Sequence, residues 1–306
     1  MDVTDLGQFS VNRWAAIVGH WRFEEVGRAI YEGPQPTERP FGMCVSDVRF
    51  LEGEARVTVR APQEGLVDGR IMLGYRSPTN EYLTVGLGGY GDAYTITQFT
   101  LANGWRKVAS AGQQENLVPG RDYMVEVHVR GQRIELQVDG IRVLEHLMET
   151  PVPYGQLGLF AWGPGVKEFT NASVHKEAGQ AFVVMQFSGY EELYKDVVEP
   201  VTRSFGLNPY RADEVFGPGN IIEDIIRGIE TAQVVIAEIT PQNENVFYEV
   251  GYAHALGKPT ILLADRTKKL PFDLSGRRVL FYDNSIGGKN RVEQGLRKHL
   301  EAILDR

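Results

Sequence analysis

Glu249 is the side chain of this sequence best suited to chemistry. It stands in NENVFYEVGYAHALGKP (243–259), where a polar, asparagine-bearing loop leads into a helical stretch. A carboxylate at the mouth of a sheet can stabilise a positive charge that develops on a bound group, or attack an electron-poor carbon directly. Both roles need the ionised form, and the first turn of a helix, where the spacing places Glu249, favours an anion. An acid in a helix's first turn is also an ordinary structural choice. Asn243 and Asn245 carry the donors and acceptors that sugar hydroxyls need, and Asn245 reads equally well as a helix cap. Phe187 and Tyr252 offer rings on which a base can stack. His254, five residues after Glu249, faces away from it.

Such residues must be held by a frame, and the second part of the chain reads as one. AFVVMQF (181–187) is a continuous apolar run, as expected of a parallel strand covered on both faces. Ser188 with Glu191, Asn220 with Glu223 and Asn290 with Glu293 have the spacing of capping boxes that open helices. LNPYRA, Val234–Ile239, Pro259–Ala264 and RRVLFYD (277–283) read as further strands. Strand and helix alternate, which predicts a doubly wound, flavodoxin-like α/β domain with strand order 2-1-3-4-5. Ligands of such sheets sit where the order reverses, between the first and third strands. Phe187, Ser188, Glu238, Thr240, Asn243, Asn245 and Glu249 fall at that lip. Arg211 and Asp213, after the second strand, suit a ribose or phosphate, or a surface ion pair.

The first part follows a different period. EARVTVRA (54–61), RIMLGYR (70–76), EYLTVGLG (81–88), YTITQF (94–99), YMVEVHV (123–129), RIELQV (133–138) and QLGLFAW (156–162) alternate apolar with polar residues. That is the pattern of half-buried antiparallel strands. Asp139-Gly140 is a hairpin turn signal. Ten or so short strands predict a β-sandwich over residues 1–176, with HKEAGQ (175–180) as a short linker to an α/β domain over 180–306.

Composition narrows the classes. The chain of 306 residues is long enough for two cores, and its formal charge of −8 gives no electrostatic reason to expect nucleic acid or an anionic membrane as partner. The first residues, MDVTDLGQFSVNRW, lack an apolar secretory core, and no stretch approaches a membrane span. The single cysteine, Cys44, reads as a small buried residue, and a cytoplasmic location is expected. No metal-ligand cluster stands out among the scattered histidines. Two tempting motifs fail. Gly86-Leu87-Gly88-Gly89-Tyr90-Gly91 fits G-x-G-x-x-G but is followed by a strand pattern, so it reads as a turn. Gly251 to Lys258 has the wrong spacing for a phosphate loop, and its glycines close a helix.

The blocks FVVMQF, YRADEVFGPGNIIEDI, AEIT, NENVFYEVGYAHALGKP and LPFDL together resemble nucleoside 2-deoxyribosyltransferases and the related TIR-like domains. The resemblance covers roughly Phe182–Leu304. It implies that Glu249 acts on the anomeric carbon of a ribosyl group. It implies NAD⁺ as a substrate to be hydrolysed, no separate cofactor, self-association, and a role as an effector of antiphage immunity. The chain departs from the transferases at Gln186, Gln233, Glu238 and Asn243, where the family has other residues. That weakens deoxyribosyl transfer and leaves a Glu249-centred hydrolase intact. A nucleotide-binding receptor without turnover is the reading from another class. WRFEEVGRAIYEG, DYMVEVHVRGQRIELQVDGIRVLE and GQLGLFAWGPGVKEFTNASV resemble concanavalin A-like and laminin-G-like sandwiches, including the 3-keto-disaccharide hydrolase group. That implies a module for assembly, or for binding a small molecule or glycan.

Overall fold

The computed structural model of the chain describes residues 3–5, 13–24, 27–60, 62–77, 79–150, 152–186, 188–211, 221–240, 243–267, 278–283 and 285–304. Two compact units emerge. One holds Met1–Val129, Ile134–Leu147 and Val152–Glu177, and the other holds Arg130–Arg133, Met148–Pro151 and Ala178–Arg306.

The first unit is a jelly-roll-like sandwich of two antiparallel sheets. One sheet runs in the order Ile141–Leu147, Arg133–Val138, Asp122–Arg130, Glu52–Arg60, Lys167–Glu177, Arg28–Tyr31, Trp21–Glu24, with Val3–Asp5 also paired to Lys167–Glu177. The other runs Gly104–Gln113, Asp92–Thr100, Glu81–Leu87, Gly69–Arg76, Gly155–Trp162, Phe41–Phe50, Trp14–Val18. Alternation explains the first sheet. In Arg133–Val138, Ile134, Leu136 and Val138 are buried while Arg133, Glu135 and Gln137 are only half-buried. Asp139 and Gly140 close the next hairpin with φ of 52° and 77°, the pair of positive angles that a type I′ turn requires. Gly86–Gly91 is a hairpin turn, with the Gly88 amide donating to the Ala93 carbonyl at 2.7 Å.

The second sheet breaks the simple alternation, because it buries side chains on both of its faces. Ile71 and Leu73 are buried on one side. On the other, Phe41, Met43, Met72, Tyr75, Tyr82 and Phe160 form a cluster of their own. Trp105 and Trp162 pack against that cluster. Cys44 is buried, and burial pushes its thiol well above the ordinary range.

The second unit is a five-stranded, all-parallel sheet. Its strands in chain order are Gly179–Val184, Leu207–Tyr210, Val234–Glu238, Thr260–Asp265 and Val279–Tyr282, and their spatial order is second, first, third, fourth, fifth. That is the expected 2-1-3-4-5 order. Each face carries its own core. Val183, Ile236 and Leu263 pack against helix 191–204 and helix Ile286–Leu304. Phe182, Val235, Ala237 and Leu262 pack against helices Ile221–Thr231 and Glu244–Ala255. Burial on both faces is why these strands read as unbroken apolar runs.

Three local expectations change. HKEAGQ holds the division between the units, at Glu177 and Ala178, but most of it is strand: Lys167–Glu177 runs into it with Glu177 paired to Glu52, and Gly179 already opens the next strand. The Ser188–Glu191 box does not form. Tyr190 takes the N-cap position, and the Glu191 carboxylate accepts from the Gly189 amide at 2.9 Å. Asn290 lies inside the last helix, which opens a turn earlier, where Ser285 Oγ accepts from the Gly288 amide at 3.2 Å. The Asn220 cap falls outside the described residues.

Candidate active site

The loop after Val234–Glu238 feeds helix Glu244–Ala255 through Asn243. The Asn243 side-chain oxygen accepts from the amides of Asn245 at 3.0 Å and Val246 at 3.4 Å, so Asn243 is the cap and Asn245 is an exposed first-turn residue. With the cap at 243, Glu249 falls in the second turn rather than the first, beyond most of the helix dipole's reach. Val246, Val250 and Ala253 bury that helix against the sheet. Glu249 lies between them and is half-buried in consequence.

Its electrostatics follow from that position. Burial alone raises the Glu249 carboxyl to about 7. No hydrogen bond or ion pair reaches it among the described residues. A carboxyl withdrawn from water without a counter-charge is held near neutrality, where it exchanges its proton readily. Tyr252 lies three residues on, along the same face, and its hydroxyl donates to Glu230 Oε1 at 3.1 Å.

Glu238 is handled differently. It is 0% exposed at the end of the third strand. Its carboxylate accepts from the Thr240 amide at 3.2 Å, from the Thr240 hydroxyl, and from the Tyr282 hydroxyl at 2.9 Å. Alternation along Val234–Glu238 points Glu238 to the face of Ile236, opposite the face that carries Glu249's helix. Burial raises its carboxyl, against the pull of those three donors. Thr240 Oγ also accepts from the Asp265 amide at 2.7 Å, tying the third strand's end to the fourth.

The remaining candidates are spread around this edge. Arg211 is buried, with its guanidinium 4.9 Å from the centre of the Tyr194 ring. Ser188 is exposed. Phe187 and Asp213, like the Leu270–Leu274 segment, lie outside the described residues. Lys258 donates to the carbonyls of Glu230 at 2.6 Å and Ala232 at 2.9 Å, so it anchors the end of a neighbouring helix, consistent with rejecting a phosphate loop there.

Sequence reasoning missed Tyr190 and Tyr282. On Glu238's side of the sheet they line a cleft of about 700 Å³ with Glu191, Asp196, Asp283 and Lys289. The Asp196–Lys289 pair crosses it at 3.3 Å. Tyr282 closes the fifth strand and Tyr190 follows the first, and this place at strand carboxyl ends is the signal that could have marked them. Among the described residues, no group of three or more His, Cys, Asp and Glu is placed to hold a metal ion. None of their helices is long and apolar enough to cross a membrane.

A parallel sheet with ligands expected at its carboxyl edge, and a lone carboxyl beside that edge, define a class that the comparisons name more narrowly. Residues 173–297 match the model of the nucleoside 2-deoxyribosyltransferase family. The C-terminal unit is therefore a nucleoside 2-deoxyribosyltransferase-like domain. No curated protein matches. Among solved structures, the carbohydrate-binding module CBM66 from Bacillus subtilis aligns at 14% identity and TM-score 0.44, over 53% of this chain and 95% of its own. A β-glucanase from Bacillus licheniformis aligns at 12% identity and TM-score 0.41, over 57% and 97%.

Proposed function

We propose that the C-terminal unit breaks an N-glycosidic bond of a nucleoside or nucleotide, with Glu249 facing the anomeric carbon. The observation that carries this reading is Glu249 itself, half-buried, without a counter-charge and balanced near neutrality within the matched segment. Cleavage leaves an electron-poor C1, and the carboxylate either shields that charge or bonds to C1 until water or a free base replaces it.

The missing counter-charge bears on the substrate. A carboxyl raised by burial is driven back to its ionised form when a cation enters beside it. NAD⁺ carries its positive charge on the nicotinamide ring next to the bond to be broken. It would thus ionise the group that cleaves it, whereas a neutral deoxynucleoside would not. We therefore place hydrolysis of NAD⁺ first. On this reading NAD⁺ is the substrate and not a cofactor, and self-association and a role in antiphage defence belong to the same proposal. Transfer of 2-deoxyribose between bases is the second reading, supported by the family match.

Incubation with NAD⁺, and separately with a deoxynucleoside and a free base, resolved by chromatography, tests both. Nicotinamide release supports the first, and base exchange supports the second. Binding of nucleotide with no turnover would replace both with a receptor.

A further inference from the structure

The sandwich carries a cavity of about 430 Å³ on the aromatic face of its second sheet, remote in chemistry from Glu249. Tyr90, Trp105, Phe160 and Trp162 wall it, and Gln114 and Arg70 supply its polar atoms. The Arg70 side chain is 4% exposed. Its guanidinium lies 5.3 Å from the centre of the Phe160 ring. Arg70 donates to Asp68 Oδ2 at 2.5 Å, to the Leu87 carbonyl at 3.3 Å and to Thr84 Oγ1 at 3.4 Å. A guanidinium has five N–H donors, so two are left for a guest.

The loop over this floor is built for close approach. A Cβ at Gly89 would lie 2.5 Å from Arg70 Nη2, and Gly89 has φ of +111°. Any side chain there would fill the cavity's polar end.

The charge beneath the cavity does not cancel. Asp68 Oδ1 accepts from the Trp162 amide at 2.9 Å, so the acid braces the wall that Trp162 forms. Lys167, fully buried, donates to the carbonyls of Gly163 at 3.0 Å, Pro164 at 2.6 Å and Gly165 at 3.3 Å, holding the turn that follows Trp162. Asp68 is the acid that acts on Lys167, whose ammonium burial lowers to about 8 and so leaves charged at neutral pH. One buried acid thus stands against two buried cations. A buried excess of positive charge is costly unless an anion offsets it.

We infer that this cavity binds a small ring-bearing carboxylate, its ring against the aromatic walls and its carboxylate on the free N–H groups of Arg70. Aromatic walls hold a flat ring or the C–H face of a sugar by stacking, and a guanidinium recognises a carboxylate in two-pronged fashion. Two sources share that chemistry: an acidic sugar and an aromatic acid.

Calorimetric titration of the full chain with D-glucuronate, benzoate and D-glucose tests it, with tryptophan fluorescence as a second readout. Saturable binding is expected for one of the two acids, which identifies the source. Glucose, a sugar ring without the charge, is expected to bind at least about tenfold more weakly than glucuronate if the acidic sugar is the guest. Arg70→Met breaks the buried Arg70–Asp68 ion pair and can unfold the unit, so the variants to use are Tyr90→Ala and Gln114→Ala. Each should weaken binding several-fold with an unchanged circular dichroism spectrum. Failure of both acids to saturate, glucose binding as tightly as the acid that saturates, or indifference to both variants would overturn the inference.

Discussion

The Tyr282 hydroxyl donates to Glu238 Oε1 at 2.9 Å, joining the fifth strand of the parallel sheet to the third across the fourth. Neither group is free for other work. Burial raises the Glu238 carboxyl and the Tyr282 phenol alike, and the shared hydrogen bond is what keeps the pair tolerable inside. Tyr282→Phe removes one donor from a buried carboxyl. The expected loss is about 1–3 kcal/mol, read as a lower midpoint in urea denaturation. A midpoint equal to wild type would show that Thr240 alone satisfies Glu238.

Glu249→Gln keeps the shape of the side chain and removes the charge that the proposed cleavage at C1 needs. Turnover of the true substrate should fall by about a hundredfold or more, a barrier rise of about 3 kcal/mol. Chromatographic product release measures it, and near-normal turnover would sink the assignment of Glu249.

The same variant should be more stable. The folded carboxyl sits near 7, above its unfolded value of 4.5, so the native state holds the proton more tightly. Between those two values the folded form binds more protons than the unfolded form, and stability falls as pH rises. The penalty is absent below the unfolded value and complete above about 7. With its partial exposure discounted, it amounts to roughly 2 kcal/mol. Melting curves across pH 4.5 to 8 should therefore slope downward for wild type, and Glu249→Gln should lose that part of the slope.

Asn243→Ala leaves the amides of Asn245 and Val246 without their acceptor, at a cost of about 1 kcal/mol. Asn243→Asp keeps the acceptor and adds a charge that a helix N-terminus favours, so its stability should match or exceed wild type. Thermal melts of the two variants give the ranking, and a reversed order would remove Asn243 as the cap.

Gly53 has φ of +119°, and a Cβ there would lie 2.0 Å from the His175 carbonyl oxygen. Gly53→Ala must push apart Glu52–Arg60 and Lys167–Glu177, two of the sandwich's most central strands. A loss of about 3 kcal/mol or more is expected, with lower soluble yield as the first sign.

Much of this was legible in the chain because period and burial are local. RIELQV states by alternation which residues face the core. AFVVMQF and VVIAE state by continuity that both their faces are covered. The 2-1-3-4-5 order followed from alternating strand and helix, and NENVFYEVGYA singled out Glu249 as a candidate without reference to space. What the sequence could not decide were contacts between distant residues. It placed Glu249 in a first turn, whereas Asn243 starts the helix early enough to put it in the second. It grouped Glu238 with Glu249 at one lip, whereas strand alternation and Tyr282 hold Glu238 on the other face. The cavity floored by Arg70 had no signal at all. Its parts come from strands and turns scattered between Leu66 and Trp162. Only sheet register, set by pairing across the whole sandwich, brings their side chains to one place.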